Sequence, residues 1–328
     1  MEKIRIGTIG SGVIVQHVLD NMAKVEDVCL EAVYSRSEEK GRALAEMYGT
    51  EKVYTRIDDL LADPEVNTIY IASPNLLHYE QTKRSLMAGK HVICEKPFCT
   101  KENQARELIG LARQQKLMLA EAAPTSFLPN FAALKEALPR IGRIRLVMAN
   151  YSQFSSRYRN LLAGELPNIF NPEFAGGCLM DINYYNIYLT VALFGRPEAA
   201  VYHPNLYANG IDTSGVACLQ YPDFQAVCIG AKDTWGVNAY QIEGEQGYLY
   251  VTDGSNGLRQ IRIVTDGQEE IINHQPDPDR YYYELQTLRA LMLAEDAGAF
   301  AERMEITARA VGVTEQMRKD CGLRFPGD

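Results

Sequence analysis

The sequence predicts a doubly wound parallel α/β domain followed by an α+β domain with an open, mostly antiparallel sheet. Its 328 residues are enough for about two domains, each with a core of its own. Up to residue 122, short β-branched runs alternate with segments of helical periodicity, which is typical of parallel strands joined by crossover helices. Farther on, extended segments follow one another closely, which favours antiparallel pairing. We therefore expect one domain at 1–122 and a second at 123–328.

The elements of the first domain follow from periodicity and turn residues. Strands are predicted at Ile4–Ile9, Cys29–Tyr34, Val66–Ala72, His91–Cys94 and Leu117–Glu121, and helices at Val13–Met22, Glu38–Tyr48, Leu76–Met87 and Lys101–Gln114. Because helices separate the strands, the strands are expected to pair in parallel through right-handed crossovers.

The second domain begins with a helix at Phe127–Leu138 and a long extended run at Ile144–Phe154. A loop rich in Asn and Pro, Gly164–Phe174, leads to a helix at Leu179–Phe194. Further strands are predicted at Ala199–Tyr207, Val216–Tyr221, Ala226–Ala231, Ala239–Glu243, Tyr248–Val251, Gln260–Val264 and Glu270–Asn273, and closing helices at Arg280–Glu295 and Ala301–Asp320. Turn sequences such as Tyr221-Pro222-Asp223 and Asp253-Gly254 indicate a mostly antiparallel sheet.

Composition and charge exclude several classes of protein. Hydrophobic residues make up 46% and charged residues 23%, as in an ordinary folded domain. The net charge of −9 would repel a phosphate backbone, so we expect no nucleic-acid partner. Seven cysteines without a C-x-x-C pair indicate reduced thiols and a cytoplasmic protein. Neither an apolar signal segment nor an apolar run long enough to span a membrane is visible, so no association with a membrane is expected. The histidines lack metal-ligand spacing, so no metal is expected.

A glycine-rich turn directly after the first strand predicts dinucleotide binding. The segment Gly10-Ser11-Gly12-Val13-Ile14-Val15 matches the fingerprint G-x-G-x-x-G, with valine at the third glycine position. Gly10 would form the tight turn, and Gly12 would let the backbone approach a pyrophosphate at the helix N-terminus. Alternatively, the glycines only form a turn in a nucleotide-free α/β protein, but the position in the first βα turn favours binding. The predicted cofactor contacts here are Gly10, Ser11, Gly12, Val13 and Ile14.

The end of the second strand predicts which dinucleotide binds. An NAD site usually has Asp or Glu there to hold the ribose 2′-hydroxyl, whereas this strand ends in Tyr34-Ser35-Arg36-Ser37. A guanidinium flanked by two hydroxyl groups suits a 2′-phosphate, which it can meet with charge-assisted hydrogen bonds. Ser35, Arg36 and Ser37 are therefore predicted to select NADP, the alternative being that Arg36 is a solvated loop residue.

Three motifs, in order, give the chain a resemblance to a known family. They are the glycine fingerprint, the segment Ala88-Gly89-Lys90-His91-Val92-Ile93-Cys94-Glu95-Lys96-Pro97, and the later Gly176-Gly177-Cys178-Leu179-Met180-Asp181. Over nearly its whole length the sequence resembles the Gfo/Idh/MocA family of nicotinamide-dependent oxidoreductases. The resemblance implies an N-terminal Rossmann domain and a C-terminal domain for substrate binding and oligomerisation.

The resemblance places Lys96 beside the nicotinamide as the central catalytic lysine, with a cis peptide bond between Lys96 and Pro97. A lysine at the carboxyl edge of a parallel sheet can hydrogen-bond a reacting hydroxyl group and stabilise the negative charge that develops as a hydride leaves. Alternatively, Lys96 is a surface lysine. The resemblance further implies cofactor contacts by Ser73, Asn75, His78, Glu95 and Lys96 itself. For His78, the alternative is that it is a structural histidine.

The later motif predicts the rest of the catalytic site. The family's usual form, G-G-G-x-L-x-D-x-G-x-H, puts Asp and His on one helical face, and here Tyr185 stands in the place of His. Tyrosine at this position resembles the branch of glucose–fructose oxidoreductase and dimeric dihydrodiol dehydrogenase, where it is the proposed proton donor or acceptor. A nearby ammonium such as Lys96 would lower the pKa of the phenol. Tyr185 and Lys96 are thus predicted to act as a unit, with Asp181 orienting the substrate.

Because the sequence departs from the family's motif at two positions, the local backbone conformation stays undetermined. Asn183 stands where the family has glycine, and Cys178 follows only two consecutive glycines where the family has three. The alternative for Asp181 and Tyr185 is a helix N-terminal carboxylate and a packed aromatic ring.

The function implied by the resemblance is that of an NAD(P)-dependent dehydrogenase, with NADP preferred over NAD. The substrate would be a secondary alcohol or carbonyl of a sugar, polyol or cyclic trans-diol, and Tyr158, Arg159 and Asn168 are candidates for its recognition. The family often associates through the outer face of the second sheet, so a homodimer or a higher oligomer is expected. Two alternatives stay open: a non-catalytic NADP-binding regulator or sensor, and an enzyme that retains its cofactor, as glucose–fructose oxidoreductase and NAD-dependent glycosidases do.

Overall fold

The computed structural model describes residues 2–328 and divides them into two units. The first unit contains residues 2–123 and Asp279–Thr307, and the second contains Pro124–Pro278 and Ala308–Asp328. The segment Asp279–Thr307 thus belongs with the N-terminal unit, whereas the boundary expected from the sequence places it in the domain 123–328. The Tyr281 ring stacks on that of His17 at a centre distance of 6.2 Å, and Asp279 accepts a hydrogen bond from the Asn21 side-chain amide at 2.6 Å, so this segment is attached to the first unit.

The first unit is built around a parallel sheet of six strands. They are β1 (Ile4–Ile9), β2 (Val28–Tyr34), β3 (Lys52–Tyr54), β4 (Thr68–Ile71), β5 (His91–Glu95) and β6 (Leu119–Ala122). Their order is β3-β2-β1-β4-β5-β6, and all neighbouring pairs are parallel. All residues of β4 and β6 are buried, as expected for strands covered on both faces. The strand order reverses between β1 and β4, so a crevice opens at their carboxyl ends, where ligands of this fold bind.

The crossover helices of this unit begin and end at the residues that their sequences favour. They are α1 (Val13–Met22), α2 (Glu38–Tyr48), α3 (Ile57–Ala62), α4 (His78–Met87) and α5 (Glu102–Gln115). At the start of α2, the Ser37 hydroxyl accepts a hydrogen bond from the Lys40 amide at 3.4 Å, and the helix ends at Gly49 with φ of 75°. The first two helices and β1 have the bounds predicted from the sequence, whereas β3 and α3 were not predicted.

The second unit contains a sheet of eight strands. They are β7 (Ile144–Ser152), β8 (Ala199–Leu206), β9 (Asp212–Gln220), β10 (Gln225–Ala231), β11 (Ala239–Gly244), β12 (Gly247–Thr252), β13 (Gln260–Thr265) and β14 (Gln268–Ile272). Their order is β14-β13-β12-β11-β7-β10-β9-β8, and only β7 and β10 pair in parallel. The predicted fold class, a doubly wound parallel sheet followed by a mostly antiparallel one, is therefore confirmed.

The helices of the rest of the chain complete the two units. They are α6 (Pro129–Ala137), α7 (Ser156–Leu162), α8 (Tyr184–Phe194), the single turn α9 (Gly254–Gly257), α10 (Arg280–Leu293) and α11 (Ala297–Asp320). Helix α7 lies in a segment for which no helix or strand is predicted from the sequence. The predicted helix Leu179–Phe194 consists of α8 and a preceding π-helical turn, Leu179–Asn183. Such π-helical turns occur frequently at functional sites.

The two faces of the second sheet differ in their surroundings. On the inner face, α8 packs against β10, and the Asn186 side-chain amide donates to the Ile229 carbonyl at 2.9 Å. Side chains of the opposite face point to solvent: Met148 is 40%, Ile229 39% and Val201 49% exposed. Within the second unit, this outer face therefore exposes several apolar side chains.

Two further observations concern the chain from residue 2 to 328. No helix in it is long and apolar enough to cross a membrane. The seven cysteines, all in this range, are free thiols, and four of them are buried: Cys94, Cys99, Cys178 and Cys228.

Candidate active site

The glycine turn after β1 has the geometry that a bound pyrophosphate requires. Gly10 has φ of +124°, and a Cβ atom there would lie 2.6 Å from the Ala72 carbonyl oxygen, so only glycine is tolerated. A Cβ atom on Gly12 would meet nothing within 4 Å among residues 2–328. In the same range, no side chain caps the N-terminus of α1, where Val13 and Ile14 are 55% and 40% exposed. Main-chain N–H groups of the first helical turn are thus available to an anion.

The three residues after β2 have different surroundings. Ser35 is buried, accepts a hydrogen bond from the Ser37 amide at 3.3 Å and lies 3.4 Å from the Ser11 hydroxyl. Ser37 caps α2. Arg36 between them is exposed. The two serines shape the loop, and the Arg36 side chain between them is open to solvent.

His78 joins the loops that follow β4 and β5. It is 1% exposed, and its ring nitrogens lie 2.9 Å from the carbonyl oxygens of Ser73 and Pro97. Burial lowers the pKa of His78, so the imidazole is neutral at physiological pH. His78 therefore links the two loops through its ring nitrogens. Contacts of His78, Ser73 and Asn75 with the cofactor stay predictions.

Lys96 lies directly after β5, at the same sheet edge as the glycine turn. Its side chain is half-buried, and the bond to Pro97 is cis, as the resemblance implies. Glu95, the last residue of the strand, accepts hydrogen bonds from the Tyr70 hydroxyl at 2.6 Å and from the Lys96 amide at 3.3 Å. Burial raises the pKa of Glu95, while Tyr70 and the Lys96 charge act to lower it. The Glu95 carboxyl group thus anchors the loop from which Lys96 projects.

In the second unit, two glycines and a distant carboxylate fix the start of the helix that bears Asp181 and Tyr185. A Cβ atom on Gly176 would lie 2.4 Å from the Ile169 carbonyl oxygen. Gly177 has φ of +103°, and a Cβ atom there would lie 2.0 Å from Asp212 Oδ1. The Asp212 side chain in turn accepts a hydrogen bond from the Leu179 amide at 2.7 Å. The motif needs both glycines because the main chain and Asp212 occupy the space of their side chains.

The departure at Asn183 is accommodated by the strand opposite it, against which Cys178 also packs. A Cβ atom on Gly230 of β10 would lie 2.6 Å from the Asn183 Cβ atom and 3.0 Å from the Cys178 sulfur. The Asn183 side-chain amide donates to the Cys228 carbonyl at 3.1 Å. The glycine that the motif lacks at position 183 is therefore compensated by a glycine on the facing strand.

Tyr185 lies in a small buried cluster with Tyr151, Cys178 and Ile182. Its ring centre is 5.9 Å from that of Tyr151, and the side chain is 4% exposed. The Tyr151 hydroxyl accepts a hydrogen bond from the Asn256 side chain at 2.7 Å. The Tyr151 ring and the two apolar side chains of the cluster thus fix the orientation of the Tyr185 phenol.

Asp181 has a cationic partner that the sequence did not indicate. Lys232, directly after β10, donates a hydrogen bond to Asp181 Oδ2, and the two side chains are 7% and 19% exposed. Neither Lys232 nor Asp212 was predicted as a site residue from the sequence. The available signals were weak: Lys232-Asp233 follows the apolar strand β10, and Asp212 is a lone carboxylate at the start of β9.

Of the candidate specificity residues, Tyr158 and Arg159 lie on α7, and Asn168 opens the short helical turn Asn168–Phe170. The Tyr158 ring centre is 5.9 Å from that of Phe170.

The structure places Asp181 and Tyr185 in one helical segment of the second unit, and Lys96 at the sheet edge of the first. Among residues 2–328 there is no group of three or more His, Cys, Asp or Glu side chains suited to a metal ion.

The fold and these loops define a class: a dinucleotide-binding α/β unit combined with an α+β unit, as in nicotinamide-dependent oxidoreductases. Residues 4–122 match the model of an oxidoreductase family with an NAD-binding Rossmann fold, GFO_IDH_MocA. Residues 131–250 match the GFO/IDH/MocA C-terminal domain. The chain belongs to the Gfo/Idh/MocA family of oxidoreductases, and the resemblance noted in the sequence is confirmed.

Named relatives are dehydrogenases. The chain is 35% identical to the scyllo-inositol 2-dehydrogenase (NADP(+)) IolU of Bacillus subtilis over 99% of each protein. It is 26% identical to the trans-1,2-dihydrobenzene-1,2-diol dehydrogenase of Sus scrofa over 90% of each. The solved structure of KijD10, a 3-ketoreductase from Actinomadura kijaniata, in complex with NADP and TDP-benzene, has a TM-score of 0.85 over 97% of each chain. At 23% identity this last likeness concerns the fold.

Proposed function

We propose that the protein is an NADP-preferring dehydrogenase of a secondary alcohol group in a sugar, polyol or cyclic trans-diol, with Lys96 and Tyr185 as its catalytic unit. The observation that carries the proposal is the position of Lys96. It follows β5 at the carboxyl edge of the sheet, the same edge as the glycine turn after β1. In open α/β sheets, reacting ligands bind at this edge.

The cofactor supplies the acceptor or donor of the hydride when it is bound. The residues present suit it: the open glycine turn at Gly12 suits the pyrophosphate, and the exposed Arg36 suits a 2′-phosphate. The names of IolU and the Hypocrea jecorina D-xylose 1-dehydrogenase, both of which include NADP(+), support this preference. The first 122 residues would then hold the cofactor and the rest the substrate.

Each catalytic residue has a separate role in the proposal. Lys96 donates a hydrogen bond to the reacting oxygen and stabilises its developing negative charge. Tyr185 accepts the hydroxyl proton during oxidation and returns it during reduction, and the Lys96 ammonium favours its phenolate form. Asp181 accepts a hydrogen bond from a substrate hydroxyl group and orients the ring.

The exposed apolar side chains on the outer face of the second sheet support a homodimer or a higher oligomer as the functional state. Met148 and Ile229 lie on adjacent strands of this face, and both are about two-fifths exposed, at 40% and 39%. Burying such side chains against a second copy removes apolar surface from water.

The test is a dehydrogenase screen of inositols, pentoses, hexoses and trans-diols with NADP and with NAD, followed by the absorbance of reduced nicotinamide. We expect turnover of at least one polyol, faster with NADP. A protein that binds NADPH but turns over no member of the panel would instead be the non-catalytic sensor. Reduced-nicotinamide absorbance that stays with the freshly purified protein would favour the cofactor-retaining enzyme.

A further inference from the structure

The ion pair between Asp181 and Lys232 lies at the helix start that bears Tyr185. The main chain of Lys232 is held on both sides: its amide donates to the Thr213 carbonyl at 2.8 Å, and its carbonyl accepts from the Ser155 amide at 2.9 Å. The ammonium group donates to Asp181 and lies 5.7 Å from the ring centre of Phe170. The position of this cation is therefore fixed by its backbone, by its partner and by an aromatic face.

Stability alone gives little reason for this arrangement. Taking a lysine and an aspartate out of water costs about as much as their attraction returns, and apolar side chains of similar size often do as well or better. Asp181 keeps 19% of its side chain exposed, whereas Lys232 keeps 7%. A nearly buried cation that holds a partly open carboxylate suits recognition of a ligand better than it suits packing.

We propose that Lys232 is a specificity-determining residue, which together with Asp181 binds the hydroxyl group adjacent to the reacting one in a neutral substrate. The inference deepens the proposed function and rests on it. A carboxylate only accepts hydrogen bonds, while an ammonium only donates them and has three protons to give. The hydroxyl group next to the reacting one donates to Asp181 and accepts from Lys232. A simple alcohol lacks this second hydroxyl group, and an anionic substrate meets repulsion from Asp181.

The aromatic side chains beside Lys232 suit the ring of such a substrate. Beyond Phe170, the rings of Tyr158, Phe154 and Trp235 follow at centre distances of 5.9, 5.7 and 5.8 Å. Trp235 is 73% exposed and stacks nearly parallel on Phe154. Apolar walls with a few convergent polar groups are the usual composition of small-molecule sites.

The experiment compares a diol with its analogue lacking the neighbouring hydroxyl group. The first pair is trans-cyclohexane-1,2-diol and cyclohexanol, and the second is the most active polyol of the screen with its deoxy analogue. For the wild type we expect kcat/KM for the diol to exceed that for the alcohol by about 10- to 100-fold. Lys232→Met should raise KM for the diol and reduce the preference to within about threefold, with the Kd for NADPH unchanged. Lys232→Arg should retain most of the preference.

Lys52→Met is the matched control, because Lys52 also pairs with an aspartate, Asp63, at 3.0 Å but lies in the first unit. It should keep the wild-type preference. A Lys232→Met variant with the wild-type preference, or one that loses kcat equally on both substrates, overturns the inference. If Lys232→Met does not fold, the same comparison is made with Lys232→Gln, for which the same loss of preference is expected.

Failure of the inference can be distinguished from failure of the proposed function. A wild type that oxidises diol and alcohol equally well refutes the role of Lys232 but leaves the dehydrogenase in place. A wild type that turns over nothing refutes the proposed function. A polyol titration in the presence of NADPH, followed by the fluorescence of the single tryptophan, Trp235, then measures recognition without turnover. At least about tenfold weaker binding by Lys232→Met supports the inference, and unchanged binding, or none by the wild type, overturns it.

Discussion

Replacing Asp212 by Asn should change how the stability of the helix start at Leu179 depends on pH. Asp212 is fully buried, and its Oδ2 atom accepts hydrogen bonds from the Leu179 amide and from the Tyr202 hydroxyl, both at 2.7 Å. Burial raises the pKa of Asp212 from 3.8 to about 6, although the hydrogen bonds from Tyr202 and Leu179 act to lower it. The folded state therefore binds this proton more tightly than the unfolded state does.

The sign and size of the effect follow from this difference. A carboxyl group whose pKa is raised on folding contributes stability that is fully present below its unfolded pKa and is lost as the pH rises through the folded pKa. With values of 3.8 and about 6, the contribution of Asp212 should fall by about 3 kcal/mol in total, and by about 1.4 kcal/mol between pH 5 and pH 8. Asn does not titrate. Lowering the pH from 8 to 5 should thus stabilise the folded wild type by about 1.4 kcal/mol relative to Asp212→Asn.

Hydrogen exchange measured by mass spectrometry on peptides from 177–194 gives the local opening free energy at each pH. Glu95 and Glu284, whose pKa values are also raised by burial, are present in both proteins and cancel in the difference. Tyr202→Phe is the directional control: it removes a hydrogen bond that lowers the pKa of Asp212, so the transition should move to higher pH. A difference between wild type and Asp212→Asn that does not vary with pH, or that favours wild type at high pH, would refute the reasoning.

Two further predictions concern the cofactor and the assembly. Arg36→Ala should weaken NADP binding by about 1.5–3 kcal/mol and leave NAD binding unchanged, because only NADP offers a 2′-phosphate to the guanidinium group. Calorimetry checks this with the exposed Arg42→Ala as control, and equal affinity of the wild type for NAD and NADP would contradict it. In light scattering at micromolar concentration, the protein should have at least twice the 36.7 kDa of one chain, and Met148→Lys with Ile229→Lys should shift it toward monomer. A wild type that runs as a monomer would exclude the proposed assembly.

Local signals made much of the first unit predictable. Val13–Met22 and Glu38–Tyr48 have the predicted bounds because apolar periodicity, the Ser37 cap and Gly49 all act within a few residues. The three-residue β3 and the six-residue α3 offered too few positions for a period to show. The glycine turn was recognisable for the same local reason, since its function depends on consecutive main-chain atoms.

The partners of the helix start that bears Asp181 and Tyr185 could not be predicted in this way. Asp212 is 33 residues from the Leu179 amide that it caps, and Lys232 is 51 residues from Asp181. Their roles arise when strands that are distant in sequence pack against one helix start. A single sequence contains no periodicity or spacing that reports such a contact.

The most direct test of the central claim is single-turnover hydride transfer in Lys96→Met, Tyr185→Phe and the double variant, with the best substrate of the screen. Lys96→Met should lower the rate by at least about 10²-fold while the Kd for NADPH stays within a few-fold. Tyr185→Phe should lower the rate of hydride transfer less than Lys96→Met does. The double variant should be little slower than Lys96→Met, because the two residues are proposed to act together. Lys83→Met, at a lysine paired with Glu107 on the surface, should transfer hydride at the wild-type rate. Wild-type rates in Lys96→Met would contradict the mechanism, and fully additive losses would contradict the coupling.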